Sequence, residues 1–172
     1  MIRIGILGDI GSGKSYVARS FGYPVFNADQ EVSKLYKKDK NIFKKLKKKL
    51  PKYIFSFPLN KNEIIKAILS NKVNLKKINT IVHLEIRKEL KIFLKKNKNK
   101  KIVILDIPLF LENKINDKND ILVFVDSKKI EIEKRLKKRL NFNHKLINKF
   151  RKIQFSIAYK KKKSNFTIKN DF

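Results

Sequence analysis

Gly8-Asp9-Ile10-Gly11-Ser12-Gly13-Lys14-Ser15 is the stretch whose reading decides the fold. It fits G-x-x-x-x-G-K-[ST], the phosphate-binding P-loop. Its surroundings fit as well. Ile2, Ile4, Ile6 and Leu7 read as a short buried strand before it. Ser15 to Phe21 reads as the opening of a helix, with Val17 and Phe21 four apart on one face. The glycines let the backbone bend until successive N–H groups point at phosphate oxygens. A helix N-terminus adds partial positive charge. Lys14 reaches the outer phosphates, and the Ser15 hydroxyl is placed to ligate Mg²⁺. The stretch therefore predicts binding of a nucleoside triphosphate. What receives the phosphate must be read elsewhere.

Composition sets the outer bounds. At 172 residues the chain suggests one domain, with room for an insertion. A chain of this length buries roughly 70% of its unfolded surface, enough for a core without staples. It has no cysteine, so thiolate chemistry and disulfides are excluded, as suits a reducing cytoplasm. No apolar run approaches the ~20 residues needed to span a membrane, and the N-terminus leads straight into a strand with no signal peptide. The formal charge of +29 comes from 44 basic and 15 acidic residues. Nucleic-acid binding is the obvious inference, but only six of the 44 are arginine. The lysines are spread over nearly every helix and accompany an excess of asparagine and isoleucine, the pattern of an AT-rich gene. Arginine, the usual reader of phosphates and bases, is scarce. The charge is thus read mainly as solvated faces whose general field helps to recruit an anionic nucleotide.

Further along, Pro24-Val25-Phe26 reads as a second buried strand, with Asp29 near its C-terminal edge. In open α/β sheets that edge is where ligands bind. Leu35, Ile42, Phe43, Leu46 and Leu50 recur at near-helical spacing, ended by Pro51. Asn60 to Glu63 has the form of a capping box, followed by Ile64, Ile65, Ile68 and Leu69 as a buried face. Asn74 reads as the start of the next helix, whose stripe runs Leu75, Ile78, Val82, Ile86, Leu90 and Phe93. Residues 31–98 are thus largely helical, more than a simple crossover needs, and suggest a helical substrate-binding insertion. Ile102 to Leu105, capped by Asp106, and Ile121 to Val125 read as central parallel strands. Asp126-Ser127 opens a helix carrying Ile132, Leu136 and Leu140, with Arg135 and Arg139 four apart on another face. One further helix is expected through Leu146, Phe150, Ile153 and Ile157, then a last strand at Phe166 to Ile168. The fold class expected is α/β, a three-layer parallel sheet covered by helices.

These fixed points resemble one family over nearly the whole chain. Gly5 to Ser15 resembles the G-L-T-G-G-I-G-S-G-K-S opening of dephospho-CoA kinases, P-loop enzymes of the nucleoside-monophosphate-kinase-like class. Asn27-Ala28-Asp29 resembles their D-A-D. Ile81 to Arg87 is similar to I-x-H-P-x-I/V-R, and Leu105 to Glu112 to D-x-P-L-L-F-E. Arg135 to Arg139 fits R-x-x-x-R, Gln154 the following glutamine, and Asn165 to Asn170 the A-D-F-V-I-D-N close. The P-loop alone says only nucleotide; the segments around His83 and Asp106 are more specific. There are departures. Asn27 replaces the first Asp of D-A-D, Asp9 a glycine, Tyr16 a threonine, Leu84 a proline and Asn165 the late Asp. The chain ends at Phe172, where the family runs on into a final helix.

The resemblance implies transfer of the γ-phosphoryl of ATP to the ribose 3′-hydroxyl of dephospho-CoA, with Mg²⁺. It implies a P-loop kinase core over 1–30 and 100–172, a helical substrate-binding insertion over about 31–99, and a lid over about 135–150. Lys14 and the backbone of Gly11, Ser12, Gly13, Ser15 and Tyr16 would hold ATP, and Ser15 and Asp106 the metal. Asp29 would be base or hydroxyl-positioning group, or alternatively a helix N-cap. Asp106 is either a ligand and substrate contact or a strand-end cap. Arg139 and Arg135 would close on ATP, unless they form a solvated basic face. His83 and Arg87 would face the acceptor nucleotide; His83 is otherwise structural. Asn170 would lie by the adenine, Glu112 would pair with an arginine, and Asp9 would tilt outward. A cytoplasmic enzyme with ATP and dephospho-CoA as partners, no specific nucleic acid and no membrane, is the leading reading. Another small-metabolite or nucleoside kinase of this fold, or a nucleic-acid-dependent NTPase, stays open at this level.

Overall fold

The computed structural model describes residues 1–138 and 142–171. Five apolar runs become strands: β1 (Ile2–Gly8), β2 (Val25–Asn27), β3 (Ile102–Asp106), β4 (Ile121–Asp126) and β5 (Phe166–Lys169). All pair in parallel, in the order β2-β3-β1-β4-β5. β1, β3 and β4 lie inside the sheet and are buried over most of their length. That is why β3 and β4 run as continuous apolar residues up to their terminal Asp rather than alternating. Parallel pairing puts all C-terminal strand ends on one edge. Asn27 stands opposite Asp106 there, and Gly8 opposite Val125. On one face Ile4, Ile6, Ile104, Val123 and Val125 pack with Val17 and Ala18 of α1 (Lys14–Ser20). On Gly5 a Cβ would overlap the Phe110 ring, so a side chain there is excluded by packing.

After β2 come α2 (Ala28–Lys38), α3 (Lys40–Lys49), α4 (Lys61–Ser70) and α5 (Lys72–Lys96). After β4 come α6 (Lys129–Lys137), α7 (His144–Ile153) and α8 (Ile157–Lys163). By backbone contacts the chain divides into a sheet unit, Met1–Asn27 with Leu94 onward, and a helical unit, Ala28–Phe93. The helical unit buries Ile42, Leu46, Leu50, Ile54, Ile64, Ile68, Leu75, Ile78, Val82, Ile86 and Leu90. Within α3, α4 and α5 they recur three or four residues apart, the stripes expected of amphipathic helices.

Several local expectations are corrected. The stretch through Leu35 and Leu50 is two helices, because Asp39 interrupts it. Its carboxylate accepts the N–H groups of Asn41 and Ile42 at 2.7 and 3.0 Å and caps α3. Asn60 does cap α4, accepting from Asn62 N. Glu63 leaves the capping box unclosed: it accepts from Ser56 Oγ at 2.6 Å and from the N–H of Phe55 at 3.0 Å. Asn74 does not start a helix. It is buried inside α5, its amide donating to Ala67 O at 3.1 Å and Ser70 Oγ at 3.0 Å. The single helix expected through Ile157 is divided at Gln154, and Ser156 caps α8. The capping position of α6 is Lys128, not Asp126 or Ser127.

Candidate active site

The P-loop leaves the central strand β1 and enters α1 through two left-handed glycines, Gly11 (φ 91°) and Gly13 (φ 90°). At Gly11 a Cβ would also come within 3.0 Å of Leu136 and 3.1 Å of Ile132, so α6 lies directly against the loop. Gly11 is thus required by both conformation and space. Inside the turn, Ser12 N donates to Asp9 O at 3.2 Å. The Ser12 carbonyl accepts from Ser127 Oγ at 2.9 Å and from Asn170 Nδ2 at 3.0 Å. The loop is therefore clamped from two strand ends, since Ser127 follows β4 and Asn170 follows β5. Ser12 Oγ is buried without a hydrogen-bond partner, and buried polar atoms normally have one. Lys14 reaches back along the loop, its Nζ donating to Asp9 O at 2.7 Å.

A second cluster joins three elements. Asn27 Nδ2 donates to Asp106 Oδ2 at 2.6 Å and lies 3.5 Å from Ser15 Oγ. The register Asn27↔Asp106 sets the first contact, and the start of α1 brings Ser15 to the second. Asp106 is 3% exposed, so its carboxylate is fixed rather than solvated. A hydroxyl and a carboxylate linked through one amide are hard oxygen donors. They fit Mg²⁺, which keeps several waters and borrows phosphate oxygens. Among the described residues no cluster of three or more His, Cys, Asp or Glu exists, and such a cation needs none.

The Asp9 carboxylate is not turned out to solvent. Its Oδ1 accepts the Ile10 N–H at 2.7 Å, and its Oδ2 lies 3.4 Å from Arg151 Nη2 of α7. Glu112 pairs with a lysine, not an arginine. Lys160 Nζ lies 3.1 Å from Glu112 Oε1 and donates to Gln154 Oε1 at 2.8 Å. These side chains are only 5% and 9% exposed, and the Phe155 N–H also donates to Glu112 at 2.8 Å. The pair ties the segment after β3 to the α7–α8 junction. With Gly8, Lys14 and Gln154 it borders a pocket of about 10 Å³, the room of one water molecule.

The remaining expected residues stand as follows. Tyr16 is exposed, leaving its backbone as its contribution to the loop. Asn170 is bound to the loop carbonyl of Ser12, a positioning contact. Asn165 closes β5 onto β4, its Oδ1 accepting the Leu122 N–H at 2.8 Å. Arg135 lies in the last turn of α6 beside Leu136. Arg139 lies outside the described residues. In the helical unit Asp29 sits in the first turn of α2, past the capping position. His83 and Arg87 stand one turn apart on α5, the first half-buried and the second exposed. Burial, then the neighbouring Arg87 cation, lowers the His83 pKa from its ordinary value, so its ring is neutral at pH 7. Sequence reasoning missed Arg151, Ser127 and Lys160. Arg151 alone had a signal: it is one of six arginines in a chain where lysine is the default.

Comparison with known proteins agrees with this geometry. The dephospho-CoA kinase family profile matches residues 2–172. A dephospho-CoA kinase of Wolbachia pipientis wMel is 35% identical over 170 residues, spanning 96% of this chain and 87% of the relative. One from Rickettsia prowazekii is 30% identical, spanning 98% and 87%. Among solved structures, a Thermus thermophilus protein superposes with a TM-score of 0.78 at 27% identity, over 99% of this chain and 89% of that one. The dephospho-CoA kinase of Campylobacter jejuni gives 0.64 at 23% identity, over 99% and 88%, a likeness of fold. With a glycine-turned loop, a strand-edge carboxylate and a family match over residues 2–172, this chain belongs to the dephospho-CoA kinase family.

Proposed function

We infer that the protein phosphorylates dephospho-CoA at the ribose 3′-hydroxyl with ATP, giving coenzyme A and ADP, the last step of coenzyme A synthesis. The observation that carries this is family membership over residues 2–172, joined to the loop of Gly8–Ser15. In the reaction the acceptor 3′-oxygen bonds to the γ-phosphorus as the bond to the β,γ-bridging oxygen breaks. The hydroxyl proton must leave, and charge spreads over three phosphoryl oxygens.

Lys14 and the loop N–H groups would cover that charge. Lys14 would exchange its present acceptor, the Asp9 carbonyl, for a phosphate oxygen. Ser15 and Asp106 would hold Mg²⁺, with Asn27 fixing the Asp106 carboxylate. The cation, when bound, supplies neutralisation of the phosphate oxygens. Asp29 would accept the hydroxyl proton. His83, neutral, can hydrogen-bond the acceptor without adding charge, and Arg87 would meet its phosphates. Residues 135–150 would act as the lid and 31–99 would take up the acceptor. Arg139 and Arg135 would supply cations from that lid, and Tyr16 a backbone N–H, which at present donates to Gly13 O at 2.9 Å. The site needs no nucleic acid and no membrane. No helix of the described residues is long and apolar enough to cross a membrane.

A coupled assay with ATP tests the reading. Dephospho-CoA should become phosphorylated, while nucleosides and shikimate should not. Lys14→Ala should reduce kcat by about 10²–10³-fold, as for other charge-stabilising donors. Asp29→Asn should lower kcat by about 10²–10⁴-fold with little change in ATP affinity, the range of general-base catalysis. Near-normal turnover in Asp29→Asn would overturn the base assignment.

A further inference from the structure

The loop expected to bind triphosphate carries a carboxylate of its own. Asp9 is its second residue, and its side chain is held, only 17% exposed. One oxygen caps the Ile10 N–H at 2.7 Å, so the group cannot swing to solvent without breaking that bond. The other oxygen faces Arg151 Nη2 at 3.4 Å, on a side chain 30% exposed. Arg151 belongs to α7, which contributes no fully buried residue, yet it sets its guanidinium against the loop. Its Nε is buried with no hydrogen-bond partner. The arginine is therefore placed for charge at this point more than for a saturated set of hydrogen bonds. Lys14 Nζ lies on the carbonyl of the same Asp9, so two cations converge on one acidic residue.

We propose that Arg151 is a positioning residue for ATP that acts through Asp9. It neutralises the carboxylate in the loop and keeps it turned from the phosphates. A partly buried carboxylate beside a bound triphosphate repels it, and that repulsion is weakly screened. With the arginine in place the pair has no net charge, and the loop presents its N–H groups and Lys14 to the nucleotide. The arrangement also couples α7 to the nucleotide, because any displacement of α7 that withdraws Arg151 leaves Asp9 uncompensated.

The test is a double-mutant cycle read as ATP affinity by calorimetric titration of the full chain. Arg151→Met should weaken ATP binding about five- to tenfold with Asp9 present. In the Asp9→Asn background, which keeps the Ile10 cap and removes the charge, the same change should cost less than about twofold. Arg151→Lys should recover most of the affinity. The KM for dephospho-CoA and the thermal midpoint of each variant should stay near those of the parent, which separates this role from a merely structural one. Equal losses in both backgrounds would mean that Arg151 touches the nucleotide itself, and would overturn the proposal. So would an Arg151→Met variant that binds ATP normally, or one that loses affinity only because it unfolds.

Discussion

At the strand ends of the sheet unit, polar side chains are tied to one another and to the loop. Asn27 joins Asp106 and Ser15, Ser127 and Asn170 share the Ser12 carbonyl, and Lys160 joins Glu112 and Gln154. In the helical unit the buried positions are nearly all aliphatic, and the ionic contacts lie outside. Lys45 and Lys88 meet Glu85 at 3.1 and 2.9 Å with both lysine side chains at least half exposed. The difference follows from what each part must hold still. A phosphate-binding turn works only if its backbone groups point to fixed places, and buried hydrogen bonds fix places. A helical stack needs only to exclude water from one face of each helix.

Four measurements would sharpen or break that contrast. The largest effect is expected for Lys160→Met. It leaves Glu112 buried without its cation and should cost about 3–5 kcal/mol in urea unfolding. Next comes Asn170→Ala, which removes one clamp on the loop. It should lower stability by about 1 kcal/mol and raise the KM for ATP, with little change in the KM for dephospho-CoA. Lys45→Met, at an exposed pair, should change stability by no more than about 0.2–1 kcal/mol. If it cost as much as Lys160→Met, the contrast between the units would fail. The smallest effect should be the pH dependence from His83. Its pKa in the folded chain lies below the ordinary 6.5, so the unfolded chain binds the proton more tightly. Its contribution is complete above that ordinary value and is lost as pH falls through the lowered one. The urea midpoint should therefore decline below about pH 6.5, and His83→Gln should flatten the decline.

Much of the fold was legible because its signals are local. Each strand announced itself as an apolar run ending in a polar residue, and strand–helix alternation implied parallel pairing. The boundaries that were misread have one cause. Asp39, Ser156 and Asn74 are polar residues whose roles depend on which backbone groups they meet. Asp39 and Ser156 caps divide stretches whose apolar spacing looked continuous, while Asn74 stays inside a helix because Ala67 and Ser70 satisfy its amide.

The same division holds for the site. The eight residues from Gly8 to Ser15 by themselves carried the expectation of phosphate binding, since glycine spacing, a lysine and a hydroxyl are properties of the chain. Motifs around Asp29, His83 and Asp106 pointed to the acceptor. Only the tertiary structure decided that Asn27 bridges Asp106 to Ser15, that Glu112 takes Lys160, and that Asp9 takes Arg151. Those partners lie 79, 48 and 142 residues apart in sequence. A charge or an amide carries no mark of its partner, and pairing is settled by where the packed sheet and helices bring each group.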